Sequence, residues 1–381
     1  MPRWDVNFSM NLDDRHPEIV SCVAMANALA GVIRDIPIPP RVKASSDALN
    51  ILRAVRGTTG IEGIELTEDE VKQIMESPRK KPVLPPNRGR EEQEARNAQE
   101  VMVYVVKELT RDPNIPLTEK LIRAVHRTTT KNINYPDNIP GKYRSHDVSA
   151  GNYVPPSGGD IKRLMKEFIQ WFNTGAPLGW NPIIRAIVAH FYVVSIHPFG
   201  DGNGRASRGV ESFLLYQAGV NARGFYSLAN YYYKYRHEYI HFLDYVRFQS
   251  NGDLTPFVLF ALRGLVTELQ QVHSEVLASV KIIAYRDYAR EELSVYDKIG
   301  TKVGERMSFF LSLLSREESV SLKAIRSGEH SLARLYRRLT PKTLSRDINF
   351  LKEHELITIE GDELRANLDI MTRYTPPFEL R

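Results

Sequence analysis

Between Asp160 and Asn173 the apolar residues Ile161, Leu164, Met165, Phe168 and Phe172 recur at steps of three and four, the spacing of one helical face. From Pro182 a second stripe, Ile183, Ile187, Phe191 and Val194, predicts a buried helix that stops at Pro198, where proline removes a donor and clashes with the turn before it. Similar patterning predicts helices over Ile19–Ala30, Ser46–Glu62, Glu91–Leu109, Leu117–Thr129 and Gly204–Leu215. Thr67 and Glu70 have the spacing of a capping box that starts a further helix. Pro78, Pro82, Pro85, Pro86 and Gly89 mark a linker that no regular element tolerates.

Two segments break the helical pattern. Between Pro140 and Pro156, short β-prone pieces flanked by Gly, Asn and Pro read as a β-hairpin. Beyond residue 296, an apolar stretch Met307–Leu314 and a helix from Pro341 to about Leu356 precede Ile357–Ala366, which alternates around Gly361-Asp362 as a small hairpin. Helices followed by a hairpin resemble a winged helix, whose second helix enters the DNA major groove. The expected fold is mostly α: a helical bundle with a β-hairpin, plus a C-terminal α+β winged-helix domain. Its expected parts are an N-terminal helical region 1–85, a core 86–262, a connecting helix 263–295 and a winged helix-turn-helix domain 296–381.

Composition narrows the class only mildly. At 381 residues, 42% hydrophobic and 25% charged, the chain has ordinary globular values and length for two or three domains. The net charge of +5 permits nucleotide or nucleic-acid contact without demanding it. From Lys323 to Lys352 eight basic residues stand against Glu329 and Asp347, a surface suited to phosphate. DNA and a protein partner weigh equally there. The single cysteine, Cys22, excludes an internal disulfide and suits a reducing compartment. No apolar run approaches a membrane span and no signal peptide is visible, so a cytoplasmic protein without a membrane partner is expected.

Residues 197–208, His-Pro-Phe-Gly-Asp-Gly-Asn-Gly-Arg-Ala-Ser-Arg, carry the chemistry. Gly202 and Gly204 let the backbone approach an anion, and Asn203 between them adds side-chain donors. The helix that starts here turns its free N–H groups and dipole toward phosphate. Arg205 and Arg208, three apart, share a helical face and are able to fork onto phosphate oxygens. Asp201 is a single carboxylate of the kind that holds Mg²⁺ together with nucleotide oxygens. His197, with an ordinary pKa of about 6.5, suits a general base.

This stretch matches at every fixed position the signature H-x-F-x-[D/E]-G-N-G-R-x-x-R, and so resembles the Fic family. The resemblance implies a protein adenylyltransferase that moves AMP from ATP to a Ser, Thr or Tyr hydroxyl. It assigns the base to His197, Mg²⁺ to Asp201, and the α- and β-phosphates to Gly202, Asn203 and Gly204. Arg205 would then neutralise the β-phosphate and Arg208 reach the γ-phosphate. The hairpin 140–156 would be the flap on which a target chain, or the protein itself as its own target, docks as an added strand. The aromatic run Tyr231–Leu243 is similar to the family's nucleobase pocket, with Tyr239 in the first of two positions and Ile240 departing from the second.

Upstream, Thr58-Thr59-Gly60-Ile61-Glu62-Gly63 resembles the family's inhibitory motif [S/T]-x-x-x-E-[G/N]. There the resemblance implies that Glu62 competes with the γ-phosphate for Arg208. Read without it, Thr59 and Glu62 have capping-box spacing. A DNA-binding regulator with a nucleotide-sensing core, and an enzyme using another donor or removing AMP, stay open, as does homodimer formation.

Overall fold

In a computed structural model the described residues are 3–78, 81–151, 153–220, 228–296 and 300–372. They divide into two compact units, Met1–His273 and Ser274–Arg381. Expected features at Asn152 of the hairpin, and at residues 297–299 and 373–381 of the C-terminal domain, lie outside the described residues.

The first unit is a helical bundle. Its helices are α1 (Pro17–Asp35), α2 (Pro40–Gly60), α3 (Glu68–Glu76), α4 (Gly89–Arg111), α5 (Glu119–Thr129), α6 (Ile161–Thr174), α7 (Pro182–Ile196), α8 (Asn203–Gln217), α9 (Leu228–Lys234) and α10 (Arg236–Phe248), followed by the first part of α11 (Thr255–Val295). The apolar stripes work as their spacing requires: Ile161, Leu164, Met165, Phe168 and Phe172 of α6 are buried, as is nearly all of α7. Thr67 and Glu70 form both bonds of the capping box. Helices α2 and α3 pack on α4 within this unit, so the expected boundary at 85 is not a break in packing.

Two expectations are corrected here. Helix α1 is long and apolar enough, by length and composition, to cross a membrane. In this fold Ile19, Ala26, Ala30 and Ile33 are buried while Val20, Met25 and Val32 are exposed, and Glu18 pairs with Arg263 at 2.5 and 2.8 Å. Residues 140–156 form no extended ladder among the described residues: one antiparallel bridge, with bonds of 2.9 and 3.0 Å, closes the turn from Ala150 to Tyr153, and Val154 bridges to Arg3. A buried arginine takes the place of the ladder. Arg144 donates to the carbonyls of His146 (2.7 Å), Pro156 (2.7 Å) and His197 (2.8 Å), pinning both ends of the segment to the bundle.

The second unit takes in the latter part of α11, so the expected connecting helix 263–295 is not merely a connector. Tyr285, Ala289 and Leu293, four apart, enter its core. With them pack α12 (Lys302–Leu314), α13 (Leu322–Ser327) and α14 (Pro341–Glu353). A three-stranded antiparallel sheet of order β1-β3-β2 closes it, with β1 Val320–Ser321, β2 Ile357–Glu360 and β3 Glu363–Ala366. Gly361, at φ 62°, makes the β2–β3 turn that the alternating pattern predicts.

Candidate active site

Helix α7 ends because Pro198 cannot continue it, and His197 takes the left-handed conformation (φ 53°, ψ 59°) as its cap. That conformation is uncommon outside glycine, and surrounding bonds hold it. The His197 N–H donates to Val193 O, and its carbonyl accepts from Arg144. Ring atom Nδ1 lies 3.1 Å from Val194 O. A carbonyl only accepts, so Nδ1 carries the proton and Nε2 is left as the acceptor. Burial lowers the imidazole pKa to about 4, against the opposing hydrogen bond to Val194, and the ring is neutral at pH 7.

The loop that follows is stapled from inside. Asn203 accepts from Phe199 N–H at 2.8 Å and donates to Phe199 O at 2.9 Å, so its buried side chain staples the loop. Gly202 (φ 74°) caps α8, and a Cβ there would stand 2.7 Å from Thr130 Cγ2. His126, fully buried, supports the loop from α5. Its Nδ1 accepts from Gly141 N–H at 2.9 Å, its Nε2 lies 2.8 Å from Asp201 O, and its ring stacks on Phe199 at 3.6 Å.

The two arginines differ in company. Arg205 is buried in an ion pair with Glu94 and donates to Tyr135 Oη at 2.8 Å; its nearer link to the loop is Asp201 Oδ1 at 3.4 Å. Its guanidinium is therefore already neutralised from α4. Arg208, 2% exposed, donates to Thr58 Oγ1 (2.9 Å), Thr58 O (3.0 Å) and Glu62 Oε1 (2.6 Å). Burial alone would raise the Glu62 carboxyl; Arg208, with Arg205 behind it, outweighs that and holds it below the usual range. A Cβ on Gly204 would collide with Glu62 Oε1. The carboxylate thus sits over the first turn of α8, where that turn's free N–H groups attract an anion.

Asp201 offers one carboxylate with 40% of its side chain exposed and with Oδ1 accepting from Gly202 N–H at 2.5 Å. That donor set fits Mg²⁺ only with other oxygens supplied by nucleotide and water. Among the described residues no group of three or more His, Cys, Asp or Glu is placed to hold a metal.

Tyr239 lies close enough to Arg208 and Glu62 to feel their charges, but its ring is packed. It is 3% exposed, stacks on Tyr232 at 4.6 Å and meets His190 Nε2 at 2.9 Å through its hydroxyl, with no ring face open to a base. His190 in turn lies 3.2 Å from Glu211. Thr59 caps nothing either: it lies inside α2 and bonds back to Val55 O, and its neighbour Thr58 meets Arg208. Sequence reasoning missed Thr58, Glu94, His126 and Arg144. Two of them left a signal: Thr58 as the first position of the upstream motif, and Arg144 as the end of Pro140-Gly141-Lys142-Tyr143-Arg144, which opens the segment read as a flap.

Residues 116–215 match the Fic/DOC family. The matched segment contains the whole 197–208 loop. The chain is 37% identical over 145 residues to the protein adenylyltransferase Fic of Aedes aegypti, covering 38% of this chain and 27% of that protein. It is 31% identical over 251 residues to the protein of the same name from Drosophila erecta, covering 66% of this chain and 46% of that one. The chain thus spans less than half the length of these curated relatives. In fold it is similar to residues 134–508 of Fic-1 from C. elegans (TM-score 0.57, 22% identity, 68% of this chain and 73% of that one). It is also similar to a Fic family protein from Desulfovibrio desulfuricans G20 (TM-score 0.54, 20% identity, 92% and 96%).

Proposed function

We propose that this chain is a protein adenylyltransferase, moving AMP from ATP to a hydroxyl of a target protein, and that Glu62 holds it inactive in the state described. The observation that carries the proposal is the carboxylate of Glu62 on Arg208, above the N-terminal turn of α8. An anion already rests where a triphosphate tail would be gripped, on the cation that would grip it.

In the released state the backbone N–H groups of Asn203 and Gly204 and the guanidinium of Arg208 would take the phosphates, the Gly202 N–H being held by Asp201. Arg205, tied to Glu94, would act mainly by holding Asp201. Asp201 is the residue that would hold Mg²⁺, which supplies charge neutralisation on the phosphate oxygens. The target hydroxyl gives its proton to Nε2 of His197 as its oxygen bonds to the α-phosphorus. The bond from that phosphorus to the bridging oxygen breaks, and pyrophosphate leaves with the electron pair. Such transfers depend chiefly on positioning and charge stabilisation, which this rigid loop supplies. The segment 140–156, anchored by Arg144 beside His197, is where the target would lie.

The burial of Tyr239 favours testing the donor base openly. Wild type and Glu62→Gly are incubated with each nucleoside triphosphate and Mg²⁺, and intact masses are read. Glu62→Gly should gain AMP, and His197→Ala in that background should gain none. Labelling by another nucleotide alone would replace the donor, and no labelling of any chain or added target would remove the transferase reading.

A further inference from the structure

The second unit presents a face that the transfer chemistry leaves unused. Helix α14 buries Leu344, Ile348 and Leu351 in the core of that unit. On its other side Lys342, Ser345, Arg346, Asn349 and Lys352 recur at steps of three and four, all exposed. Its aspartate is turned inward: buried Asp347 accepts from Arg306 at 2.7 and 3.1 Å and from the Tyr336 hydroxyl at 3.0 Å. The outer face thereby keeps its cations without a carboxylate until Glu353 at the helix end. Arg337 and Arg338, also exposed, lead into the helix. Among the described residues none of these five cations has an ion-pair partner.

We infer that this face binds double-stranded DNA, with α14 lying in the major groove. The groove admits one α-helix, and the residue types fall where that geometry uses them. Arg346 and Asn349 stand at the centre, and Arg forks onto guanine while Asn forks onto adenine. Lys342, Lys352, Arg337 and Arg338 lie at the ends and before the helix, where phosphates flank a seated helix. An acidic protein partner would use the cations but has no call for uncharged Ser345 and Asn349 between them; a base edge uses both. The β2–β3 turn adds no cation. Asp362 there is occupied by Ser321 Oγ (2.6 Å) and Lys323 N–H (3.1 Å), and Glu360 is exposed, so the contact rests on α14 and the loop before it.

The test uses the full chain, without nucleotide, and a fluorescein-labelled random-sequence duplex read by anisotropy. About four phosphate contacts should weaken binding about 150-fold between 50 and 200 mM salt. Lys342→Ala with Lys352→Ala should lower the slope of log affinity against log salt by about 2. Arg346→Ala and Asn349→Ala should each cost about tenfold of the preference for a sequence selected from the random pool over the pool itself. All four side chains are exposed, and circular dichroism checks that the variants remain folded. Absence of binding at 50 mM salt would overturn the inference, as would indifference to these substitutions. Competition by polyglutamate equal to that by duplex would overturn it too, in favour of an acidic protein partner. AMP incorporation, measured separately, bears on neither result.

Discussion

The carboxylate of Glu62 occupies the space that a β-carbon on Gly204 would fill, while its Oε1 accepts from Arg208 at 2.6 Å. One oxygen therefore meets both the backbone of the anion cradle and the cation beside it. Gly204→Ala separates the two roles. Its methyl should push Glu62 away, yet it also narrows the cradle, standing 3.1 Å from Arg208 Nη1. The single variant should therefore gain little activity. In the Glu62→Gly background it should lower kcat/KM for ATP by about tenfold or more, the loss expected when one preorganised anion contact is removed. If Glu62→Gly and the double variant transfer AMP equally well, the first turn of α8 does not hold the phosphates.

His197 makes a prediction about pH. With Nδ1 bonded to Val194 O and burial holding the ring's pKa at about 4, the base is already unprotonated at pH 5. The acid limb of kcat/KM for Glu62→Gly should therefore fall near pH 4, with a plateau through the range where an ordinary histidine titrates, about pH 6.5. An inflection between pH 6 and 7 would show a solvated imidazole or a different base.

Most of the bundle could be read before any coordinates because α6 and α7 repeat large apolar side chains at helical steps, and Pro182 and Pro198 bound α7 from both ends. The 197–208 loop was equally legible, since residue type and spacing are fixed together there. What failed depends on which partner a polar side chain takes in the fold. The 140–156 segment carries strand-prone residues, but Arg144 satisfies its carbonyls from within and no ladder forms. Tyr239 has the composition of a base-stacking residue, yet His190 and Tyr232 claim its hydroxyl and its ring. Asn203 looks like a phosphate donor, yet its buried side-chain amide already donates to Phe199 O. In each case a side chain with two plausible partners took the one that folding places nearer.

His126 joins the 140–156 segment to the signature loop through Gly141 N–H and Asp201 O, an arrangement only the neutral ring supports. Burial is the main cause that lowers its pKa to about 4. Like His197, it is depressed in the folded state, so its stability contribution is complete above pH 6.5 and is lost as pH falls through 4. His126→Gln keeps an acceptor and a donor but loses the rigid ring that aims both and stacks on Phe199, and should cost about 1–3 kcal/mol at pH 7. It should also flatten the decline in urea midpoint between pH 7 and pH 5. A variant with the wild-type slope would show that His126 does not titrate with folding.

The proposed brake would depend on a helix pressed against its neighbour by glycine. A Cβ on Gly57 would stand 2.7 Å from the backbone of Ala229 and Asn230 in α9, which has no side chain there to swing away. Five residues on, Glu62 reaches Arg208, and between them Arg236 holds Ile61 O at 2.9 Å. Gly57→Ala should therefore lift the end of α2 from α9 and loosen Glu62 without altering any residue of the site. Overpacking of this kind costs about 1–3 kcal/mol, small enough for the domain to stay folded. AMP incorporation should rise several-fold toward that of Glu62→Gly, and adding Gly57→Ala to Glu62→Gly should raise it no further. If instead the unfolding midpoint drops while labelling stays at the wild-type level, the seat of α2 on α9 is not what keeps the carboxylate on the arginine.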